Sequence, residues 1–163
     1  MSLSELNEEQ CELHSSLLLL KDVPVFNGLA PEFFRVMAYL CERHLFAAEQ
    51  VILTRGETAE AAVVMVRGSA RIERGERQIA TLDKGSFVGG LALLGQFRWL
   101  YSLRAATEVE CLVLPRRTFL PQFMARPDAF AVLAGKLVGS VVGWEQRQLE
   151  RPGEERSYGL GML

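Results

Sequence analysis

The chain has 163 residues, 49% of them apolar, and a formal net charge of −2. That length supports one domain with a real core and leaves two domains short of one, while the apolar share excludes an intrinsically disordered chain. The arginines are scattered rather than gathered on one stretch, so the charge gives no support for a nucleic-acid face.

Residues 4–20 read as a helix. Ser4 can cap it, Glu8 and Glu9 favour its N-terminal half, and Leu13, Leu17 and Leu20 share one stripe. Lys21-Asp22-Val23-Pro24 breaks it, Asn27-Gly28 turns the chain, and Pro31 suits the first position of a second helix through Leu40. From Glu42 to Leu114 the character changes to short apolar runs between glycine or charged turns: 51–54, 61–66, 69–74, 78–82, 101–106 and 109–114. Ala70 and Ile72 alternate with Arg71 and Glu73, as in a strand with one buried face. Many short strands at close spacing predict a sandwich or closed roll, and a jelly roll leaves few unpaired edges. After Pro115 the helical pattern returns, first over 116–124, then from Ala129 to about Glu150 with Pro127 and Asp128 ahead of it. Residues 1–150 are expected to form the single domain and 151–163 a loose tail.

The histidines are His14 and His44 alone, too few for a metal-dependent barrel enzyme. No serine or cysteine sits in a nucleophile setting, so no catalysis is expected. Cys11, Cys41 and Cys111 are odd in number and share no ligand spacing, as expected of free thiols in a reducing cytosol. The N-terminus lacks a charged n-region, and Leu17 to Leu20 is too short for a signal or a span. A cytoplasmic, soluble chain is expected.

Gly85-Ser86-Phe87-Val88-Gly89-Gly90-Leu91-Ala92-Leu93-Leu94, followed by Trp99 and Arg104-Ala105-Ala106, carries the most information. With Leu20–Leu29, Val51-Ile52 before Arg55-Gly56-Glu57, Val64–Ile72 and Thr107–Arg116, it resembles the cyclic-nucleotide-binding domain superfamily. The resemblance runs from about Leu17 to Trp144. It implies a double-stranded β-helix, or jelly roll, with N-terminal helices and a long C-terminal helix that pairs two subunits. It also implies a phosphate-binding cassette in which a glutamate, and nine residues later an arginine, hold the ribose and the phosphate. Here those positions are Gly90 and Trp99, a turn glycine usual before the second strand is Glu49, and the proline expected ahead of the arginine is Arg98.

Gly90 cannot accept a hydrogen bond from a ribose, and Trp99 cannot neutralise a phosphate. Arg98 is adjacent, but neighbours on a strand point to opposite faces. The expected pocket residues are Val88, Gly89, Gly90, Leu91, Ala92, Arg98, Trp99 and Tyr101, with Phe97, Trp99 or Tyr101 filling the cavity. Three ligand states stay open: an ordinary cyclic nucleotide, a filled pocket, or a different ligand that is more apolar or lacks phosphate. Restoring Gly90→Glu with Trp99→Arg is expected to raise cyclic-nucleotide affinity if the frame is intact.

In the long helix Ala131, Gly135, Gly139 and Gly143 recur every four residues and form one smooth face. Glycine in a helix costs about 1 kcal/mol each, so close approach of a partner helix is the natural compensation; packing against its own roll is the alternative. Leu133, Leu137, Val138, Val141, Val142 and Trp144 flank it. These features point to a non-catalytic regulatory or protein-interaction module with an altered pocket, dimeric through this helix, with a protein effector as the further partner. A small-molecule sensor is one alternative. A transcription regulator lacking its DNA-binding domain is the other, since the residues after Glu150 are too few for a helix-turn-helix.

Overall fold

In the computed structural model, residues 3–149 are described. The tail expected over 151–163, and Glu150, lie outside them. Helix α1 spans Leu3–Asp22, a 3₁₀ turn Pro24–Phe26, and α2 Pro31–Leu40. Eight strands follow: β1 Glu42–Phe46, β2 Val51–Leu53, β3 Ala61–Arg67, β4 Ala70–Arg74, β5 Arg77–Leu82, β6 Phe87–Val88, β7 Ser102–Ala105 and β8 Val109–Pro115. Helices α3, Arg116–Met124, and α4, Pro127–Leu149, close the described chain. The long helix thus begins two residues before Ala129, because proline's fixed φ suits the first helical position.

The strands form two antiparallel sheets, β1-β8-β3-β6 and β2-β7-β4-β5. They make the jelly roll, with helices at its flank. Along β3 the side chains divide between two cores. Ala62 and Val64 join the cluster built by α1, α2, α3 and α4, whereas Val63 and Met65 join the one inside the roll. Strand β8 does the same with Leu112 and Leu114 against Cys111. A strand covered on both faces has no polar side, which is why 61–66 reads as an unbroken apolar run. Strand β4 has cover on one face only: Ala70 and Ile72 are buried, while Arg71 and Glu73 are partly exposed.

Arg43 ties the first helix to the roll. Its guanidinium donates to Glu110 and, through Nη2, to Ser15 Oγ and Ser16 Oγ at 2.9 Å each. On the second sheet, Arg71 donates to both carboxylate oxygens of Glu49 at 3.0 and 2.7 Å, which holds Glu49 in a left-handed conformation at φ 68°. A non-glycine residue accepts that backbone only at some cost, and the two hydrogen bonds compensate it.

Candidate functional site

The cassette begins at β6, which pairs with β3 through Val63–Val88 and Val64–Phe87. Gly89 then turns left-handed, φ 75° and ψ 22°, and Gly90–Leu93 forms a single 3₁₀ turn closed by Ala92 N–H donating to Gly89 O at 2.8 Å. The left-handed step sends alternate residues to different cores. Val88 and Ala92 point into the roll; Leu91 and Leu93 pack toward the helices. Gly90 lies at that boundary and is buried. A Cβ built on it would stand 2.6 Å from Leu137 Cδ2 of α4 and 2.8 Å from Phe87 Cε1. The Gly90→Glu half of the restoring pair therefore meets Leu137 and Phe87 at its first carbon.

The segment leading into β7 pairs with residues 56–59: Ala59 N–H donates to Phe97 O, Trp99 N–H to Glu57 O, and Gly56 N–H to Trp99 O, at 2.8–2.9 Å. This pairing fixes which way each side chain goes. Trp99 turns into the roll, 5% exposed, with its ring edge-on to Phe97 at 5.3 Å and tilted over Tyr101 at 5.9 Å. Its Cη2 lies 2.5 Å from where a Cβ on Gly89 would be, so Gly89 is required both by its φ and by the indole above it. Arg98 turns outward, exposed, and donates to Gly56 O at 2.7 Å. Arg104 lies on the outer face of β7, donating to Glu73 and to Glu49 O.

The roll interior around Trp99 consists of Ala59, Val63, Met65, Ala70, Ile72, Val88, Ala92, Tyr101, Leu103, Ala105, Val109 and Cys111. Among the described residues no charged side chain is buried. Tyr101 brings the polar exception: its hydroxyl is buried without a hydrogen-bond partner among the described residues, and burial pushes its pKa above the ordinary phenol range. Burial likewise pushes the Cys111 thiol, with help from the nearby Glu110 charge, up to about 12.

Arg116, which reads in the sequence as part of a strand exit, stands at the first position of α3. Its Nη1 donates to Ala59 O at 3.1 Å, Gly95 O at 2.9 Å and Ala92 O at 3.4 Å. One guanidinium thus caps the carbonyl end of the cassette turn and ties it to the residues before β3. Backbone carbonyls leave no periodic mark in a sequence, so no signal was available for that role.

On α4, Leu133 and Leu137 are buried in the helical core. Ala131, Gly135 and Gly139 lie on exposed positions and Gly143 is half-buried; among the described residues, a Cβ on Gly135 or Gly139 would meet nothing within 4 Å. Val138 and Val142, beside them, are 60% and 43% exposed. Val141 is half-buried, and the side chain of Trp144 lies outside the described residues.

A family model described as "Cyclic nucleotide-binding domain" matches residues 43–126, just over half of the chain, from within β1 through α3. The chain belongs to the cyclic nucleotide-binding domain family. It is 29% identical over 127 residues to a cyclic AMP receptor protein of Thermus thermophilus, covering 72% of this chain and 59% of that one. It is 29% identical over 100 residues to a cAMP-dependent protein kinase regulatory subunit of Hypocrea atroviridis, covering 61% of this chain and 22% of that one. The chain thus spans less than two thirds of the length of these curated relatives. A solved cyclic nucleotide-binding-like protein from Brucella abortus superposes with a TM-score of 0.59 at 26% identity, covering 64% of this chain and 93% of that one. Among the described residues no helix is long and apolar enough to cross a membrane.

Proposed function

We propose that this cyclic nucleotide-binding domain is a non-catalytic regulatory or protein-interaction module whose altered pocket holds its own tryptophan in place of a nucleotide. The observation that carries the reading is Trp99, buried in the roll against Gly89 at the position where the family resemblance calls for an arginine. A phosphate moved into that interior would lose water and gain no buried charge. Hydrogen bonds to charged groups are worth about 1.5–3 kcal/mol each, so losing both the guanidinium and the carboxylate weakens binding by about two to four orders of magnitude. Calorimetry with cyclic AMP and cyclic GMP tests this; a micromolar dissociation constant for either would overturn it.

We further propose a homodimer in which the exposed α4 face, with Gly135, Val138, Gly139 and Val142, meets its own copy about a two-fold axis. The openness of Gly135 and Gly139 among the described residues supports a partner rather than self-packing. The free thiols suit a reducing compartment such as the cytosol. Direct contact with nucleic acid is not part of the reading.

One observation favours a second reading, a sensor for an uncharged and largely apolar ligand. The orphaned Tyr101 hydroxyl would gain a partner from such a ligand's single acceptor if Trp99 swung aside. Quenching of tryptophan fluorescence by a panel of small carbonyl compounds, lost in Tyr101→Phe, would support it over the filled-pocket reading.

A further inference from the structure

Gly90 stands where the cassette meets α4. The atoms an added Cβ would strike at 2.6 and 2.8 Å belong to Leu137 and Phe87. Carbon atoms attract best at about 3.5–4.0 Å, so both neighbours would have to withdraw. Leu137 has little room to do so, and Phe87, which is half-buried, is backed by Phe26. Leu137 is 5% exposed and shares one core cluster with Leu93, Phe26 and Leu133, and Phe87 packs edge-on to Phe26 at 5.3 Å. Close-packed interiors yield poorly to an extra carbon.

We infer that the missing side chain at position 90 is the seat of α4: the helix closes on the cassette because Gly90 leaves room for Leu137. Arg116 reinforces the same junction from the other end of the turn by holding the Ala92 and Gly95 carbonyls from the start of α3. The position of α4 relative to the roll is then set by the chain's own packing and not by a bound molecule. Its outer face, with Gly139 and Val142, is presented whether or not a nucleotide is present. That functional consequence rests on the regulatory reading above; the seat itself rests on the contacts.

Hydrogen–deuterium exchange of the full chain, read by mass spectrometry, tests it. In Gly90→Glu, amides of α4 from Leu137 onward should exchange at least about tenfold faster, while β3, β4 and β8 keep wild-type rates. Unchanged α4 exchange in a folded Gly90→Glu chain would overturn the inference. Should that variant lose protection everywhere, Gly90→Ala decides. It should speed α4 exchange several-fold in the wild-type background and by a clearly smaller factor on top of Leu137→Ala, where the opposing methyl groups are gone and only the Phe87 contact remains. An equal effect in both backgrounds would overturn the seat. Millimolar cyclic AMP should leave wild-type α4 exchange unchanged, and slowed exchange would overturn its ligand independence. Tight nucleotide binding by calorimetry with unchanged α4 exchange would refute the filled-pocket reading and leave the seat standing.

Discussion

Trp99→Ala should cost the protein much of its stability and leave a cavity that a free aromatic molecule can refill. The indole is 5% exposed and touches Phe97, Tyr101 and the Gly89 backbone. An aromatic side chain buries about 150–250 Å². At about 25 cal/mol per Å², that area gives roughly 4–6 kcal/mol as an upper bound, since unfolded chains bury some surface already. Measured truncations of buried Phe and Trp cost about 3–5 kcal/mol, so about 4 kcal/mol is expected here. With a urea slope of about 2 kcal/mol per M, the unfolding midpoint followed by circular dichroism should fall by about 2 M. Added indole should raise the midpoint of the variant and not of the wild type, because a dry apolar cavity binds an apolar guest and a ligand of the native state stabilises it by mass action. A loss below about 1 kcal/mol, or no response to indole in a folded variant, would refute the claim that Trp99 fills the roll.

Gly89→Ala should also destabilise, by about 2–4 kcal/mol in the same assay, from its positive φ and the clash with Trp99 Cη2. Gly139→Leu should convert a dimer to a monomer by light scattering; among the described residues its Cβ meets nothing within 4 Å, and losing a helical glycine should gain the monomer about 1 kcal/mol of helix stability. One of the three cysteines, the exposed Cys11, should react quickly with a disulfide reagent at pH 8, with all three reacting after denaturation. Burial raises Cys41 and Cys111 from 9.0 to about 12. In both, the neutral thiol is the form favoured by folding. Their stabilising contribution is therefore complete below pH 9 and lost as the pH climbs from 9 toward 12, where the unfolded chain binds fewer protons than the native one. A flat denaturation midpoint across that window, after correction with Cys41→Ala and Cys111→Ala, would contradict this.

Where the local pattern reports a whole element, it was legible from the residues. The alternation of Ala70, Arg71, Ile72 and Glu73 marks a strand with one covered face, and Pro31 and Leu40 bound α2 as found. Strand β1 was less distinct because it lies at a sheet edge and carries Glu42, Arg43 and His44 on exposed or half-exposed positions, leaving no apolar rhythm. Strand β6 is two residues long, shorter than any periodicity. At the candidate site, the residue types at 90 and 99 were legible; their surroundings were not. That Gly90 faces Leu137, forty-seven positions away along the chain, depends on how α4 returns across the cassette, a tertiary fact. The triple carbonyl clasp of Arg116 and the orphaned Tyr101 hydroxyl are likewise products of packing.

Titration calorimetry of cyclic AMP into the wild-type chain asks whether a roll occupied by Trp99 and lacking a carboxylate at Gly90 can still take a nucleotide. No saturable heat should appear, or binding should be weaker than about 0.1 mM, the level reached when a micromolar site loses both charged contacts at about 1.5 kcal/mol or more each. A saturable isotherm at micromolar concentration or below would show that the indole yields the roll to the ligand, and would contradict the account.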